Sequence, residues 1–185
     1  MTGKLDVSAL LDFRPLAEEV LGIRYKTKPL RTKERAALYL GSFDPFDDSQ
    51  TSVVDASLNQ TGADHVYVGV LERSRKPLVL PQSERILRAR QQLARFGDKA
   101  RVIAAPALDD AAGFVRDMKA EFQRGLVVVF GANVFDANRV RLAGVSNLDW
   151  AIAPVPNFPF PSDLADGVVR LRLGTAGCPP PEWVQ

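Results

Sequence analysis

The sequence predicts a three-layer α/β domain, a mainly parallel sheet of about five strands with helices on both faces. Three observations predict it. From Ala36 onward, short apolar runs alternate with longer segments of helical period. The run LVVVFG (Leu126–Gly131) has no polar interruption, as a strand covered on both faces requires. The spacing between runs leaves room for a right-handed crossover helix each time.

In chain order, residues 1–35 precede the first core strand and are expected to form an appended helix, about 7–22 and limited by Pro15, followed by a basic connector. Residues 36–185 are expected to be the domain. Ala36–Gly41 (AALYLG) is its first strand. Residues 49–61 place Val53, Val54, Ser57 and Leu58 at helical spacing behind an Asp-Asp-Ser start suited to capping. Residues 65–72, rich in β-branched and aromatic side chains, form a second strand ending in the polar, proline-bounded loop 73–81. Residues 82–96 arrange Ile86, Leu87, Leu93 and Phe96 around a helix whose other face carries Arg85, Arg88, Arg90 and Arg95. A third strand, 101–105, leads to a helix over 109–124 that opens on two aspartates and repeats Phe114, Val115, Met118 and Phe122. After the central strand Leu126–Gly131, residues 133–143 suit a helix and 148–154 a strand; the proline-rich stretch 154–161 then ends regular structure. The segment VVRLRLG, 168–174, fits no single assignment. Ligands of such sheets bind beyond the carboxyl ends of the strands, so the loops after Gly41, Leu71, Ala105, Gly131 and Pro154 form the expected rim of a site.

Composition narrows the function classes. With 185 residues, 46% hydrophobic and 25% charged, the chain has the size and balance of one soluble domain that buries about 70% of its extended surface. No apolar stretch approaches the roughly 20 residues of a membrane helix, and acidic residues break the N-terminal apolar runs, so a cytoplasmic protein without a membrane partner is expected. Cys178 is the only cysteine and His65 the only histidine, which leaves no internal disulfide and no cysteine-rich metal site. His65 begins a strand at the end opposite the rim, and a structural role is expected for it. Trp150 and Trp183 suit packing.

Residues 1–35 hold eight basic and five acidic side chains, and Arg24, Lys26, Lys28, Arg31, Lys33 and Arg35 are offset locally by Glu34 alone. This cluster precedes the domain and has no interleaved aromatic beyond Tyr25, so nucleic acid is not an expected partner. The amphipathic first half, with Val7, Leu10, Leu11, Val20 and Leu21, instead suggests that the extension mediates a homo-oligomer or docking to a larger assembly.

Chemistry concentrates in residues 38–50, LYLGSFDPFDDSQ, where a strand ends in glycine and a helix begins within a few residues. Glycine lets backbone amides approach a ligand, and free amides at a helix N-terminus favour an anion, which makes Gly41, Ser42 and Phe43 candidate nucleotide-binding residues. Asp44, Asp47 and Asp48 form an oxygen-ligand cluster of the type that holds Mg2+ against phosphate oxygens, although the same acids suit helix capping.

Gly41-Ser42-Phe43-Asp44-Pro45 resembles the Gly-Thr-Phe-Asp-Pro that ends the first strand of nucleotidylyltransferases, a family that includes phosphopantetheine and nicotinate-nucleotide adenylyltransferases. Arg73-Ser74-Arg75-Lys76-Pro77-Leu78 with Ser83-Glu84-Arg85 is similar to the Pro-Ser-Lys-Lys-Pro-Leu and Glu-Glu-Arg of the phosphopantetheine enzymes. Val129-Phe130-Gly131-Ala132-Asn133 resembles the Ile-Gly-Ala-Asp segment of the nicotinate-nucleotide enzymes. The resemblance implies a Rossmann-like nucleotidyltransferase fold from about Ala36 onward and adds Gly131, Ala132 and Asn133 to the nucleotide-binding candidates.

The departures fall at the chemistry. Where the family carries His-x-Gly-His or Thr-x-Gly-His against the nucleotide phosphates, this chain has Asp47-Asp48-Ser49-Gln50. Losing one such donor costs a factor of about a hundred to a thousand in transfer chemistry, and an acid there repels phosphate. The family's Ser-Ser-Thr-x-x-Arg aligns with residues 165–170, which keep Arg170 but no hydroxyl; a downstream Pro-x-x-Val pattern remains at residues 181–184. The expectation is a nucleotidyltransferase-like pseudoenzyme that has lost adenylyl or cytidylyl transfer and acts in binding or interaction, with a nucleotide or small phosphorylated ligand as its small-molecule partner. The alternative is an active adenylyl- or cytidylyltransferase using Mg2+, ATP or CTP and a phosphate-bearing small molecule, with Gln50, Lys76 and Arg170 as catalytic residues.

Overall fold

The computed structural model describes residues 32–74 and 76–174. The expected helix 7–22, most of the basic connector, Arg75, Cys178, Trp183 and the Pro-x-x-Val pattern lie outside the described residues. Strands β1 (Ala36–Gly41), β2 (His65–Leu71), β3 (Ala100–Ala105), β4 (Leu126–Gly131), β5 (Asp149–Ala153) and β6 (Val169–Arg170) alternate with helices α1 (Asp48–Gln60), α2 (Gln82–Leu93), α3 (Ala111–Glu121) and α4 (Phe135–Arg141). All neighbouring strands pair in parallel, in the order β3-β2-β1-β4-β5-β6. Chain direction across the sheet reverses between β1 and β4, so the switch point where ligands bind in such folds lies beyond their carboxyl ends.

The sheet has six strands where the sequence predicts five. The sixth, β6, comes from the segment that fits no single assignment and pairs only Val169 with Ala151 and Arg170 with Ile152. Two residues carry no detectable period; the open edge of β5, rather than local pattern, makes them a strand. The helix expected over 82–96 also ends early. Its α-helical part stops at Leu93 and continues as 3-10 turns over Ala94–Lys99, where Gly97 adopts φ 58°. A short 3-10 turn, Leu108–Asp110, precedes α3.

Alternation along β1 divides the core between the two faces. Ala37 and Tyr39 pack with Val53, Val54, Ile86, Ala89 and Leu93 of α1 and α2. Ala36, Leu38 and Leu40 pack with Ala111, Val115, Met118 and Phe135 of α3 and α4. Trp150 packs against Phe130 and Phe135, consistent with a packing role. At the amino end of the sheet, Thr32 pairs with Phe122, and Arg35 reaches the carbonyls of Thr61 and Arg124 and the carboxylate of Asp149, 2.8 Å away. His65 lies at this end, its ring 3.1 Å from the Asp98 carbonyl and 3.4 Å from Glu34. No described helix is long and apolar enough to cross a membrane.

Candidate functional site

Beyond the carboxyl ends of the strands lies a cleft of about 600 Å³. The ends of β1 and β2 supply its apolar floor through Leu40 and Leu71, with Gly41 and Ser42 alongside. The loop after β2 contributes Arg73, Ser74 and Lys76 to one wall. The turn before α3, with Leu108, Asp109 and Asp110, and the side of α4 carrying Val134, Asn138 and Arg141, form the rest.

A clamp holds the rim in place. Arg85, expected on the solvent face of its helix, is only 1% exposed, whereas Leu87, grouped with the apolar residues, is 54% exposed. The guanidinium donates to the carbonyls of Leu80 at 3.0 Å, Leu71 at 2.9 Å and Glu72 at 3.2 Å, and to that of Ser42. One side chain thereby joins the ends of β1 and β2 to the loop before α2. Desolvation lowers its pKa, an effect opposed by the charge of Asp44. The Asp44 carboxylate in turn accepts from the backbone amides of Val79 and Leu80. Gln82 bridges the carbonyls of Val70 and Ala105, tying β2 to β3.

The β1–α1 turn is closed on itself. Asp47 is the N-cap of α1; its Oδ1 accepts from the Ser49 amide at 2.7 Å and the Ser49 hydroxyl at 2.6 Å, while Gln50 reaches back to the Asp47 amide at 2.8 Å. This is a capping box, the arrangement that satisfies orphan donors of a helix start with the protein's own side chains. Asp48 is exposed in the first turn. Asp44 faces the β2–α2 loop and Asp47 faces α1, so the three acids are not assembled: among the described residues no group of three or more His, Cys, Asp or Glu is placed to hold a metal.

Of the residues singled out from the sequence, Gly41, Ser42 and Lys76 line the same cleft. Phe43 belongs to the core, 8% exposed, with its ring packed between Tyr39 and Phe46. That ring accounts for Gly41: a Cβ there would sit 2.7 Å from two of its carbons. Ala132 is buried and its amide donates to the Ala153 carbonyl at 2.8 Å, which ties the β4 end to β5; Asn133 is exposed beside Gly131, outside the cleft lining. Arg170 lies on β6, its guanidinium 5.7 Å from the Phe160 ring centre, and Gln50 is held in the capping box. Neither lines the cleft.

Asn138, Arg141 and Asp109 do line it, and no sequence motif singles them out. Arg141 pairs with Asp109 at 3.0 Å and donates to the Asn138 side chain at 3.0 Å. Their only local signal is the three-residue spacing of Asn138 and Arg141, which puts both on one side of a helix following a rim strand.

A scan against family models finds no match, and a search of curated proteins finds none. Among solved structures the chain is similar to Plasmodium falciparum nicotinic acid mononucleotide adenylyltransferase complexed with NaAD, at 13% identity over 77% of this chain and 78% of that one, with a TM-score of 0.57. The same enzyme complexed with APC matches at 13% identity over 77% of each chain, with a TM-score of 0.52. The architecture is therefore the Rossmann-like nucleotidyltransferase fold.

Proposed function

We propose that this protein has lost adenylyl and cytidylyl transfer and works as a binding protein through the cleft lined by Ser42, Lys76 and Arg141. The observation that carries the reading is the capping box of Asp47 and Gln50. It fills, with a carboxylate and an amide side chain, the helix start at which the resemblance would have a nucleotide triphosphate bind. An anion arriving there meets the Asp47 charge and amides already bonded. The likeness in fold to an adenylyltransferase whose solved structures are complexed with NaAD and with APC supports a nucleotide or a small phosphorylated molecule as the ligand class. Retention of Lys76 and Ser42 at the cleft supports the second reading, an active transferase in which ATP or CTP binds with Mg2+.

Calorimetric titration with Mg-ATP and Mg-CTP separates the two. The binding-protein reading expects no affinity in the low-micromolar range (order of magnitude) and no pyrophosphate release with any phosphorylated acceptor. Replacing Asp47→His, Ser49→Gly and Gln50→His together is expected to raise nucleotide affinity in a folded protein. A tight native site with turnover would establish the transferase instead.

A further inference from the structure

We propose that the α4 wall of the cleft is an oxyanion-recognition site, in which Asn138 and Arg141 bind a carboxylate or phosphate group of the ligand and Asp109 holds their place until it arrives. The inference rests on the reading that this cleft binds a ligand.

Asn138 is 6% exposed, yet it lines the cleft. Arginine is a donor only, so the bond from Arg141 fixes the oxygen of the Asn138 amide toward the guanidinium. The nitrogen, with two donors, has no hydrogen-bond partner among the described residues. That nitrogen reaches water in the cleft rather than being sealed off without a partner, and an arriving oxyanion takes the place of that water. Arg141 has five N–H donors, of which the contacts to Asp109 and Asn138 engage Nε and one on Nη1. Those contacts fix the plane of the guanidinium and leave its other donors available. The site thus presents donors from two side chains, the chemistry an oxyanion requires.

Asp109 is the occupant that shows what the site accepts. Its carboxylate sits 3.0 Å from the Arg141 Nε, but its side chain is 79% exposed, against 20% for Arg141. An ion pair with one partner so exposed contributes little and is readily exchanged. A ligand oxyanion with its body against Leu40, Leu71 and Leu108 displaces it at small cost, and Asp109 swings into water. Until then Asp109 lowers the apparent affinity by the fraction of molecules in which it holds Arg141.

The test uses the full chain and two probes, inorganic phosphate and acetate, followed by amide and guanidinium nitrogen–proton NMR. Both probes are expected to move the Asn138 side-chain amide and the Arg141 Nε–H; the one that binds tighter identifies the ligand group. Asp109→Asn is expected to tighten the apparent Kd by about three- to tenfold, because it removes the competitor. Asp110→Asn makes the same change of charge on a cleft residue that holds no bond to Arg141 and is expected to do much less. Arg141→Leu should abolish the Asn138 response, and Arg141→Lys should restore it in part, in variants whose thermal unfolding matches the native protein. The proposal is overturned if the probes move residues 73–76 and leave Asn138 unmoved. It is equally overturned if Asp109→Asn has no effect or if Asp110→Asn tightens binding as much. Nucleotide turnover by the native protein would sink the loss of transfer but leave the Asp109 effect standing, so the two failures are distinguishable.

Discussion

The β1–α1 turn and the α4 wall stand at the same end of one sheet and treat their polar groups in opposite ways. In the turn, Asp47 answers the Ser49 amide, Gln50 answers the Asp47 amide, and Asp44 answers the amides of Val79 and Leu80. On the α4 wall, the Asn138 amide nitrogen faces the cleft without a protein partner among the described residues, and Arg141 holds a carboxylate that is mostly in water. A surface whose donors are satisfied from within has stability at stake and little left for a ligand. The contrast supports the proposal that a ligand binds away from the part of the chain that most resembles a phosphate site.

The sharpest way to break this contrast is to cut the clamp that ties the start of the β1–α1 turn to the end of β2 and the loop before α2. Arg85→Ala removes donors from four carbonyls and empties a large buried volume, so a loss of roughly 3–5 kcal/mol in chemical denaturation is expected. The cleft should lose its ligand response with it. A smaller break is Gly41→Ala, whose methyl group meets the Phe43 ring; about 2 kcal/mol is expected from the overpacking, measured by the same denaturation.

The pH dependence of stability probes the packing under the turn. Burial, and secondarily the charge of Asp47, raise the Tyr39 pKa above its ordinary value near 10. The neutral form is favoured in the folded state, so this contribution is fully present below the unfolded value and is lost as pH rises above it. Stability is expected to fall from pH 10 upward by up to about 1.4 kcal/mol per pH unit from this group. Tyr39→Phe should flatten that part of the profile; an unchanged slope would remove Tyr39 as its source.

Asp47→Ala tests the closure of the turn itself. Loss of an N-cap costs about 1 kcal/mol, and the melting temperature should fall accordingly. If the turn is closed only by its cap, the variant should also gain some affinity for phosphate. The smallest expected effect completes the comparison. Lys76→Gln, on the exposed β2–α2 loop, should change stability by less than about 0.5 kcal/mol while weakening phosphate binding in the cleft. A stability loss comparable to that of Asp47→Ala would show that Lys76 belongs to the closed region.

Much of this molecule is legible from local pattern. β1 and β4 coincide with the runs read as strands, because a strand buried on both faces must be apolar at every position and the polar segments beside it must be loops or helices. The order of those runs is enough to place a cleft at the carboxyl ends and to bring Ser42 and Lys76 to its rim. Capping of α1 by Asp47 was one of two uses its spacing allowed, since a cap and its helix are contiguous in sequence.

What local pattern cannot reach is any group whose partner is distant in the chain. Helical period sends Arg85 to solvent, because nothing nearby reveals the four carbonyls, three of them at or just past the ends of β1 and β2, that compensate its burial. β6 forms because β5 offers a free edge. Gly41 is held to glycine by a ring two residues away whose direction the core decides. Asn138 and Arg141 meet Asp109 only because the crossover after β4 carries them opposite it. The sequence determined the elements and their order, since these follow from contacts a few residues apart; the tertiary structure decided which charges are buried and which donors remain open, since desolvation and long-range hydrogen bonds exist only once the strands are side by side.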